Sequence, residues 1–532
     1  MSVPPRVSVI IPVRDQPDFL AESLASVFGQ PYSDLEVIVV DDGSTVDLTP
    51  ALAPHAGRVR VERQAPLGVA AASNRGAALA TGDLLAFHDA DDLMEAPRIT
   101  APLAVFTASL KPAGQLATIE DIDTAERLGA GRLADFTWPQ LLSLDACTEC
   151  GRCQAACPAH LAGMPLNPRR LVVDLRDHMT GQAGELLKKS EPEEGGKEMV
   201  GDVVARDALW ACTTCSACAA ECPVLVNPMD AVVDMRRYLT LSWGDLPGPG
   251  VLALQNLNRA GNPWGQPPTA RDEWATGLAV PRMADKRQAD VLWWVGCAGT
   301  YDQRNQRVSR ALAGLFNAAG VDYAILGREE TCTGDLARRL GDEHLFQTLA
   351  RRNIATLRQY RFRRIVTACP HCFNTLRNEY PTFGGQWEVV HHSQLLSELL
   401  AAGRLKLSRP LDATVTFHDS CYLGRANGVY DAPRAVLSAL PGARLAEMPR
   451  AREHGLCCGG GGGGVLLEVH GERRIQELRL EEAAATHPAV VASACPFCLL
   501  MFDLGGKTLK YDEKGIQIRD IAELASEAMV TA

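Results

Sequence analysis

The sequence predicts a multidomain chain that combines α/β parts with a helical part. Short apolar strands alternate with helix-like stretches over residues 1–100 and again from about residue 290 onward. Between these regions, two runs of four cysteines lie in a stretch of helical periodicity. The 532 residues suffice for three or four domains of about 150 residues, each able to bury a core.

Composition and charge exclude several classes of protein. Hydrophobic residues make up 46% and charged residues 22%, which argues against a disordered, collagenous or coiled-coil chain. The net charge of −11 argues against binding to nucleic acid. No apolar run reaches the ~18–20 residues of a membrane-spanning helix, and the first residues lack a signal-peptide pattern, so we expect a cytoplasmic protein. Disulfides rarely persist there, so 17 cysteines predict metal or redox chemistry.

The first predicted domain, residues 1–100, carries acidic side chains where two strands end. These are Asp41 and Asp42 in VIVVDDGST, and Asp89 and Asp91 in LLAFHDADD. With VSVIIPVRD ahead of them, these motifs resemble the family-2 glycosyltransferases, which have the nucleotide-sugar-binding GT-A fold. The resemblance implies that the first acidic pair contacts a nucleotide base and that the second holds a divalent metal on the diphosphate.

Only the donor-binding half of that family is represented, because nothing after Arg98 resembles the half that carries the acceptor pocket and catalytic base. Three interpretations remain open: a fusion remnant with a vestigial nucleotide-sugar and metal site, a nucleotide-binding sensor, or a transferase completed by a partner chain. We prefer the remnant.

A predicted linker, residues 101–135, leads to a region at 136–245 with two cysteine runs of identical spacing, C-x2-C-x2-C-x3-C-P. Four thiolates at this spacing suit a [4Fe–4S] cluster, and the fourth cysteine of such a run usually serves the other cluster. We therefore assign one cluster to Cys147, Cys150, Cys153 and Cys222, and the other to Cys157, Cys212, Cys215 and Cys218. Zinc or disulfides are the alternatives; zinc needs four ligands rather than two interlocked sets of four.

The separation of the two runs, with helical patterning between them, resembles the two-cluster ferredoxin domains of succinate dehydrogenase and heterodisulfide reductase iron–sulfur subunits. The resemblance implies that electrons pass between two closely spaced clusters. A Pro- and Gly-rich stretch at 246–289 predicts a second linker.

Cysteine positions repeat in the C-terminal half. Cys421 follows Cys297 by 124 residues, and three further pairs are 126 residues apart: Cys332 and Cys458, Cys369 and Cys495, Cys372 and Cys498. The repeat predicts two copies of one unit, at 290–410 and 411–532. Apolar strands lead directly into several of these cysteines, which suits an open α/β sheet that binds at the carboxyl ends of its strands.

The second copy resembles the CCG cysteine-rich domain of heterodisulfide reductase, glycolate oxidase iron–sulfur subunits and lactate-utilisation proteins. The motifs that carry this resemblance are CCG at residue 457 and CPFC at residue 495. With flanking text such as DFTWPQLLSLDACTECGRC, it spans about residues 118–532 and is similar to the D-type subunit of heterodisulfide reductase. It implies a catalytic non-cubane [4Fe–4S] cluster held by Cys421, Cys457, Cys458, Cys495 and Cys498.

The first copy departs from this pattern because Thr331 stands where the first of the paired cysteines is expected. Its remaining candidates could hold a cubane cluster, zinc or nothing, and we favour a cluster: Cys297, Cys332, Cys369 and Cys372. In the second copy, the glycines at 459–464 are expected to let backbone N–H groups approach a cluster or an anionic substrate. A flexible loop is the alternative.

Several histidines beside predicted ligands could donate a proton, although a structural role is the alternative: His160, His371, His418 and His454. We expect His391 and His392 to form a surface pair at a strand end, and Trp293 and Trp294 to fill the core.

The leading hypothesis is an iron–sulfur electron-transfer oxidoreductase subunit. The resemblance implies electrons from a flavoprotein dehydrogenase or electron-transfer flavoprotein, two [4Fe–4S] clusters, one or two further clusters, and a disulfide, hydroxyacid-linked or quinone acceptor. No G-x-G-x-x-G follows a predicted strand, so we expect the partner to bind the flavin or nicotinamide. A membrane quinone or membrane subunit would place the chain at the inner face of the cell membrane. The alternatives are a glycosyltransferase with an iron–sulfur appendage and a non-catalytic redox sensor.

Overall fold

The computed structural model describes residues 5–96, 98–100, 115–188, 197–467 and 469–529, with only the backbone at 183–188. The chain divides into two compact units, Met1–Lys111 and Pro112–Ala532. The boundary therefore lies within the stretch that the sequence predicts to be a linker.

The first unit contains a parallel sheet in the order β3-β2-β1-β4. Its strands are β1 (Val7–Val13), β2 (Leu35–Asp41), β3 (Val59–Arg63) and β4 (Leu84–Phe87). The α-helices of this unit are Pro17–Phe28, Thr49–Leu52 and Val69–Leu79. Strand β1 is buried along its whole length, as its near-continuous apolar sequence requires in a parallel sheet. The edge strand β4 leaves Leu85 and Phe87 about half exposed.

The second unit begins with a helical part. Its α-helices are Trp138–Asp145, Arg152–Ala156, Pro158–Leu161, Pro168–Lys188, Arg206–Trp210, Ala217–Ala220, Pro228–Arg237 and Gly248–Ala260. The last of these lies in the stretch 246–289, which the sequence predicts to be a linker, and it buries Leu254 and Leu257. A 3-10 helix at Pro268–Ala275 then buries Trp274. This stretch is thus packed structure, because its apolar side chains join the core of the second unit.

Two further parallel sheets follow, with strand orders β6-β5-β7-β8 and β10-β9-β11-β12. Their strands are β5 (Val291–Trp294), β6 (Tyr323–Ile325), β7 (Arg364–Thr367), β8 (Glu388–His391), β9 (Thr414–Phe417), β10 (Arg444–Leu445), β11 (Val490–Ser493) and β12 (Gln517–Asp520). Each strand of one sheet has a counterpart in the same chain order and sheet position in the other. The repeat seen in the cysteine positions is therefore also a repeat of topology.

Helices cover both sheets. Those around the first sheet are Met283–Lys286, Gly296–Tyr301, Gln303–Ala318, Asp335–Arg339, Glu343–Leu357, Pro370–Asn374 and His392–Ala401. Those around the second sheet are Asp431–Ser438, Ile475–Ala484, Pro496–Thr508 and Ile521–Ala528. Within the described ranges, no helix combines the length and the apolar character needed to cross a membrane.

The core confirms one expectation about aromatic residues and corrects one about histidines. Trp293 and Trp294 are fully buried in β5. His391 and His392 are also fully buried, so the prediction of a surface pair is wrong. The His391 ring is hydrogen-bonded to Ser393 at the start of the helix His392–Ala401, and His392 lies 3.3 Å from Asp520 of β12. The local pattern does not reveal that the second copy packs over this strand end.

Candidate metal centres

The two cysteine runs surround two separate small cavities. The first cavity is lined by Cys147, Cys150, Cys153 and Cys222. The second is lined by Cys157, Cys212, Cys215 and Cys218. The structure thus brings together the crossed sets, in which the fourth cysteine of each run joins the first three of the other run. We call them the first and the second cysteine set.

The first three cysteines of each run lie on loops with the same backbone path. In the first loop, Glu149 and Gly151 have φ angles of 56° and 81°; in the second, Thr214 and Ser216 have 48° and 59°. Left-handed backbone at a residue other than glycine costs about 1–3 kcal/mol and persists only where the surroundings impose it. Its recurrence at equivalent positions indicates that both loops are shaped to point their sulfurs at one centre.

Backbone N–H groups donate to a sulfur atom in each of the two sets. All 17 cysteines are free thiols. The backbone N–H of Thr214 donates to Sγ of Cys212 at 3.4 Å, and that of Val226 donates to Sγ of Cys222 at 3.3 Å. Burial raises the pKa of the Cys157 thiol well above its ordinary value. Four soft sulfur ligands around each cavity therefore fit an iron–sulfur cluster.

The two sets differ in their access to solvent. Cys150 of the first set is exposed, whereas Cys157 and Cys215 of the second set are buried. The first cavity therefore lies at the surface of the unit and the second lies deeper.

The five cysteines of the second copy form one buried cluster. Within it, the thiol of Cys457 neighbours those of Cys421 and Cys458, and the thiol of Cys458 neighbours that of Cys498. Cys495, whose thiol neighbours that of Cys498, completes the group and is fully buried. The bonds from Cys457 and Cys498 lower the pKa of the Cys458 thiol, although burial opposes this. The paired cysteines are thus biased toward the thiolate form that binds metal.

Backbone donors support these paired cysteines. The N–H of Gly459 donates to Sγ of Cys457 at 3.3 Å, and that of Gly460 donates to Sγ of Cys458 at 3.5 Å. In the first copy, the N–H of Gly334 donates to Sγ of Cys332 at 3.4 Å. In both copies, therefore, a backbone N–H donates to the cysteine sulfur two residues earlier.

Among the contacts between the ferredoxin-like part and the second copy, one brings their cysteines together. Cys215 lies in the same buried cluster as Cys421 and Cys457, and the neighbouring thiol of Cys457 raises the pKa of Cys215. The second cysteine set and the five-cysteine cluster are therefore adjacent.

The four cysteines of the first copy line one common cavity, which is larger than those of the two cysteine sets. Thr331 is not among its lining residues, because its Oγ1 donates to Oδ1 of Asn353 at 2.7 Å. Helix Pro370–Asn374 begins beside Cys369, just as helix Pro496–Thr508 begins beside Cys495. The first copy thus presents four sulfurs where the second presents five.

An ion pair beside the first copy was not predicted from the sequence. Nη2 of Arg271 lies 3.3 Å from Sγ of Cys297, and the same guanidinium pairs with Glu330. Glu330 also accepts from the backbone N–H groups of Val295 and Gly296, at 3.0 and 2.9 Å. In the sequence, only the position of Glu330 two residues before Cys332 could have indicated that this side chain lies near the predicted ligands.

The glycine run of the second copy lies against the second cysteine run and lines the cavity of the first copy. A Cβ added to Gly461 would lie 2.4 Å from the carbonyl oxygen of Thr213, and one added to Gly462 would lie 2.3 Å from that of Cys212. The absence of side chains at these glycines therefore allows the backbone of the glycine run to approach the backbone of the second cysteine run closely.

The predicted histidines have different surroundings. His371 lines the first-copy cavity and stacks on Tyr422, with ring centroids 4.1 Å apart. Burial opposes the charged form of His371, but its Nδ1 contact with Asp335 at 2.9 Å raises its pKa. A ring nitrogen of His418 lies within 4.8 Å of the sulfurs of Cys458 and Cys498.

The remaining two histidines lie nearer the surface. His454 is exposed and pairs with Glu221 at 2.5 Å, a hydrogen bond that raises the pKa of His454. His160 is half-buried on the helix Pro158–Leu161.

The acidic residues of the first unit lie at the carboxyl ends of its strands. Oδ1 of Asp41 accepts from the backbone N–H of Ser44 at 2.7 Å. Asp42 accepts from the backbone N–H groups of Leu67 and Gly68, at 2.9 and 2.8 Å. The other two acidic residues lie on the loop after β4: Asp89 and Asp91.

Family models match three regions of the chain. Residues 8–109 match glycosyl transferase family 2, residues 141–223 match the 4Fe-4S dicluster domain, and residues 291–377 and 415–503 match the cysteine-rich domain CCG. These matches confirm the predicted class: a partial GT-A-like half, a two-cluster ferredoxin part and tandem cysteine-rich domains.

Curated relatives extend these matches over most of the chain. The probable iron-sulfur-binding oxidoreductase FadF of Bacillus subtilis is 40% identical over 471 residues, which are 82% of this chain and 67% of that protein. EtfAB:quinone oxidoreductase of Syntrophomonas wolfei is 39% identical over 442 residues, 77% of this chain and 62% of that protein. The D-type subunit of dihydromethanophenazine:CoB–CoM heterodisulfide reductase of Methanosarcina barkeri is 32% identical over 404 residues, 74% of this chain and 96% of that protein.

The chain therefore belongs to the family of iron–sulfur oxidoreductases that includes this heterodisulfide reductase component. It contains a 4Fe-4S dicluster domain and two cysteine-rich domains of the CCG type. The chain spans about two thirds of the length of the first two relatives named above.

Proposed function

We propose that this chain takes electrons from a flavoprotein dehydrogenase or electron-transfer flavoprotein and delivers them through two [4Fe–4S] clusters to the five-cysteine cluster of the second copy. The contact between Cys215 and Cys457 carries this proposal, because it joins the deeper ferredoxin-like set to the cysteines that would hold the terminal cluster.

In this proposal the first and the second cysteine set each hold one cubane cluster. Bound clusters supply one-electron transfer, and the chain supplies the sulfur ligands and the backbone donors that hold them. The exposure of Cys150 supports the first set as the place where the partner's electron enters. Burial of the second set and of the second copy supports exclusion of water from the later part of the path.

The terminal site is proposed to be catalytic and to be held by Cys421, Cys457, Cys458, Cys495 and Cys498. The S. wolfei relative is named a quinone oxidoreductase that uses EtfAB, and the M. barkeri relative is named for a heterodisulfide. We therefore propose a disulfide or a quinone as the acceptor, with a quinone placing the chain against a membrane surface.

The first copy is proposed to hold a further cluster on Cys297, Cys332, Cys369 and Cys372. Their common cavity and the displacement of Thr331 from it support a four-sulfur site. This proposal gives four clusters in the chain.

Iron and acid-labile sulfide per chain, measured on protein purified without oxygen, test the proposal. Four clusters give about sixteen irons, three about twelve, and the two cubane clusters alone about eight. We expect about sixteen, and about four fewer in Cys332→Ser, because one cluster is lost. A value of eight would contradict clusters in the cysteine-rich half, and a value near zero would overturn the proposal.

For the first unit we propose a remnant without transferase activity. The carboxylate of Asp42 already accepts two backbone hydrogen bonds and one from Gln64 at 2.8 Å, which supports a structural role. Assays of nucleotide-sugar turnover with manganese are expected to show none. Turnover that is lost in Asp89→Ala would contradict this and favour the glycosyltransferase alternative.

A further inference from the structure

Arg236 is a fully buried guanidinium whose hydrogen bonds all go to carbonyl oxygens. Its Nη2 donates to Leu209 at 2.6 Å and to Cys212 at 2.7 Å. Its Nη1 donates to Arg339 at 2.8 Å and to Gly462 at 2.9 Å. No carboxylate forms an ion pair with Arg236 in the described part of the chain. A buried positive charge without an anion is costly, so a negative partner is expected beside it.

Arg425 approaches the same cysteine set from the second copy. Its Nε donates to the carbonyl oxygen of Cys215 at 2.8 Å, and its Nη1 donates to those of Gly455 and Glu453, at 2.6 and 3.2 Å. Here too, the ion pairs found among the described residues include none with Arg425. Two guanidinium groups thus hold the carbonyls of the first two cysteines in one metal-binding run.

The first cysteine set is built differently. Arg176 donates from Nη1 to the carbonyl oxygen of Cys147 at 3.4 Å, the position equivalent to Cys212. However, Nη2 of Arg176 also pairs with Glu149 at 2.6 Å, and this ion pair lies at the surface. The charge of Arg176 is therefore neutralised. Arg152 and Arg169 also line the first cavity, but they are exposed and half-buried, so solvent screens their charge. Arg236, beside the second set, is fully buried and has no carboxylate partner among the described residues.

We propose that Arg236 and Arg425 raise the reduction potential of the cluster held by the second cysteine set. This inference rests on the proposed function, since it requires a cluster on these cysteines. A reduced cluster carries one more negative charge than an oxidised one, so a nearby fixed positive charge stabilises the reduced state. Burial acts in the opposite direction by penalising the more highly charged form, and the two guanidinium groups offset that penalty.

The consequence is a direction for electron flow. One electron that reaches the first set is drawn to the second, which is reduced as the first is oxidised; no bond is made or broken and no proton moves. Arg236 and Arg425 act as positioning and charge-supplying residues rather than catalytic ones, because they touch the cysteines through their carbonyl oxygens.

The adjacent residue offers a matched control. Arg237 is equally buried, but its Nη1 pairs with Asp234 at 2.7 Å and its Nη2 pairs with Glu343 at 2.8 Å. Replacing Arg237 removes a buried guanidinium without removing unpaired charge from the second set.

The test is a redox titration of the anaerobically purified full chain, followed by electron paramagnetic resonance. The signal lost in Cys157→Ser identifies the second set. We expect a lower midpoint potential for this signal in Arg236→Gln and in Arg425→Gln, a still lower one in the double variant, and recovery toward wild type in Arg236→Lys. The potential of the first set should stay unchanged, and Arg237→Gln should leave both potentials in place.

Three results separate the possible failures. If the clusters are present but neither glutamine variant shifts the second signal, the inference is wrong and the proposed function stands. If Arg237→Gln shifts it as much as Arg236→Gln does, the effect is one of packing, and the inference is wrong again. If the wild-type chain binds no iron, the inference falls together with the proposed function.

Discussion

The hydroxyl groups of Thr214 and Tyr422 share a hydrogen bond of 2.9 Å, and both residues are buried. Thr214 lies between Cys212 and Cys215, and Tyr422 directly follows Cys421. This bond therefore ties a loop of the ferredoxin-like part to the loop that opens the five-cysteine cluster. It fixes the relative position of two groups of sulfurs that belong to different domains.

Replacing Tyr422 with Phe is expected to destabilise the second unit by about 1–3 kcal/mol, because the Thr214 hydroxyl loses its buried partner. Urea unfolding of the full chain measures this. Tyr301→Phe is the control, since its hydroxyl donates a long bond of 3.4 Å to the carbonyl oxygen of Pro267 in an exposed position. Equal destabilisation by the two variants would contradict the assigned role.

The crossed cysteine sets predict which cluster each fourth cysteine serves. Cys222→Ser is expected to remove the cluster signal of the first set, although Cys222 belongs to the second run. Cys157→Ser is expected to remove that of the second set. Electron paramagnetic resonance of the dithionite-reduced variants distinguishes the two signals. Loss of the opposite signal in each variant would show that the sets are not crossed.

The glycine run predicts a large effect from a single methyl group. Gly462 has a φ angle of 61°, and its added Cβ would lie 2.3 Å from the Cys212 carbonyl oxygen. Gly462→Ala should therefore cost about 1–3 kcal/mol through overpacking and should broaden or weaken the signal of the second set. Gly314→Ala, within the helix Gln303–Ala318 and with open space around it, should instead stabilise by about 0.5–1 kcal/mol. The urea concentration at the unfolding midpoint, measured for both variants and for wild type, distinguishes the two effects.

Glu343 predicts both a stability loss and a pH dependence. It is fully buried, and it pairs with Arg237 at 2.8 Å and with Arg338 at 3.0 Å. Removing one member of such a buried group costs about 3–5 kcal/mol, which is the expected effect of Glu343→Gln in urea unfolding at pH 7. Glu388→Gln, which touches only a surface pair, should stay within about 0.5 kcal/mol of wild type.

The pH dependence follows from the ionisation of Glu343. Burial opposes ionisation, but Arg237 and Arg338 hold the pKa of Glu343 below its ordinary value. Its contribution to stability is therefore complete above the unfolded-state pKa of about 4.3 and declines as the pH falls through the lower folded value. Glu343→Gln should flatten that decline. An unchanged slope in this variant would exclude Glu343 as the titrating group.

Local spacing carries most of the information on the metal sites. It marks Cys157 and Cys222 as the fourth cysteines of their runs, and such a cysteine usually serves the other cluster. The cavities have the same crossed composition. The repeat of cysteines likewise predicts two α/β copies, because several of these cysteines follow a strand. Both the spacing of the cysteines and the ligand chemistry of their thiols can be read directly from the sequence.

Other features depend on distant segments and have no local signal. Arg236 looks like an ordinary basic residue at a helix end, yet its partners include carbonyls more than 100 residues away. His391 and His392 form a polar pair that a surface would accept, and only packing against the second copy buries them. The stretch 246–289 is rich in proline and glycine, but the helix Gly248–Ala260 includes some of these residues in its first turn.

The enclosure of the second-copy sulfurs constrains how the protein is made. Cys457, Cys495 and Cys498 have exposures of 1%, 0% and 1%. A preassembled inorganic core could not reach them once the surrounding loops and the glycine run have closed. If the second copy holds the proposed cluster, its inorganic core would have to bind before these loops close, so cluster insertion and the folding of this domain would be coupled.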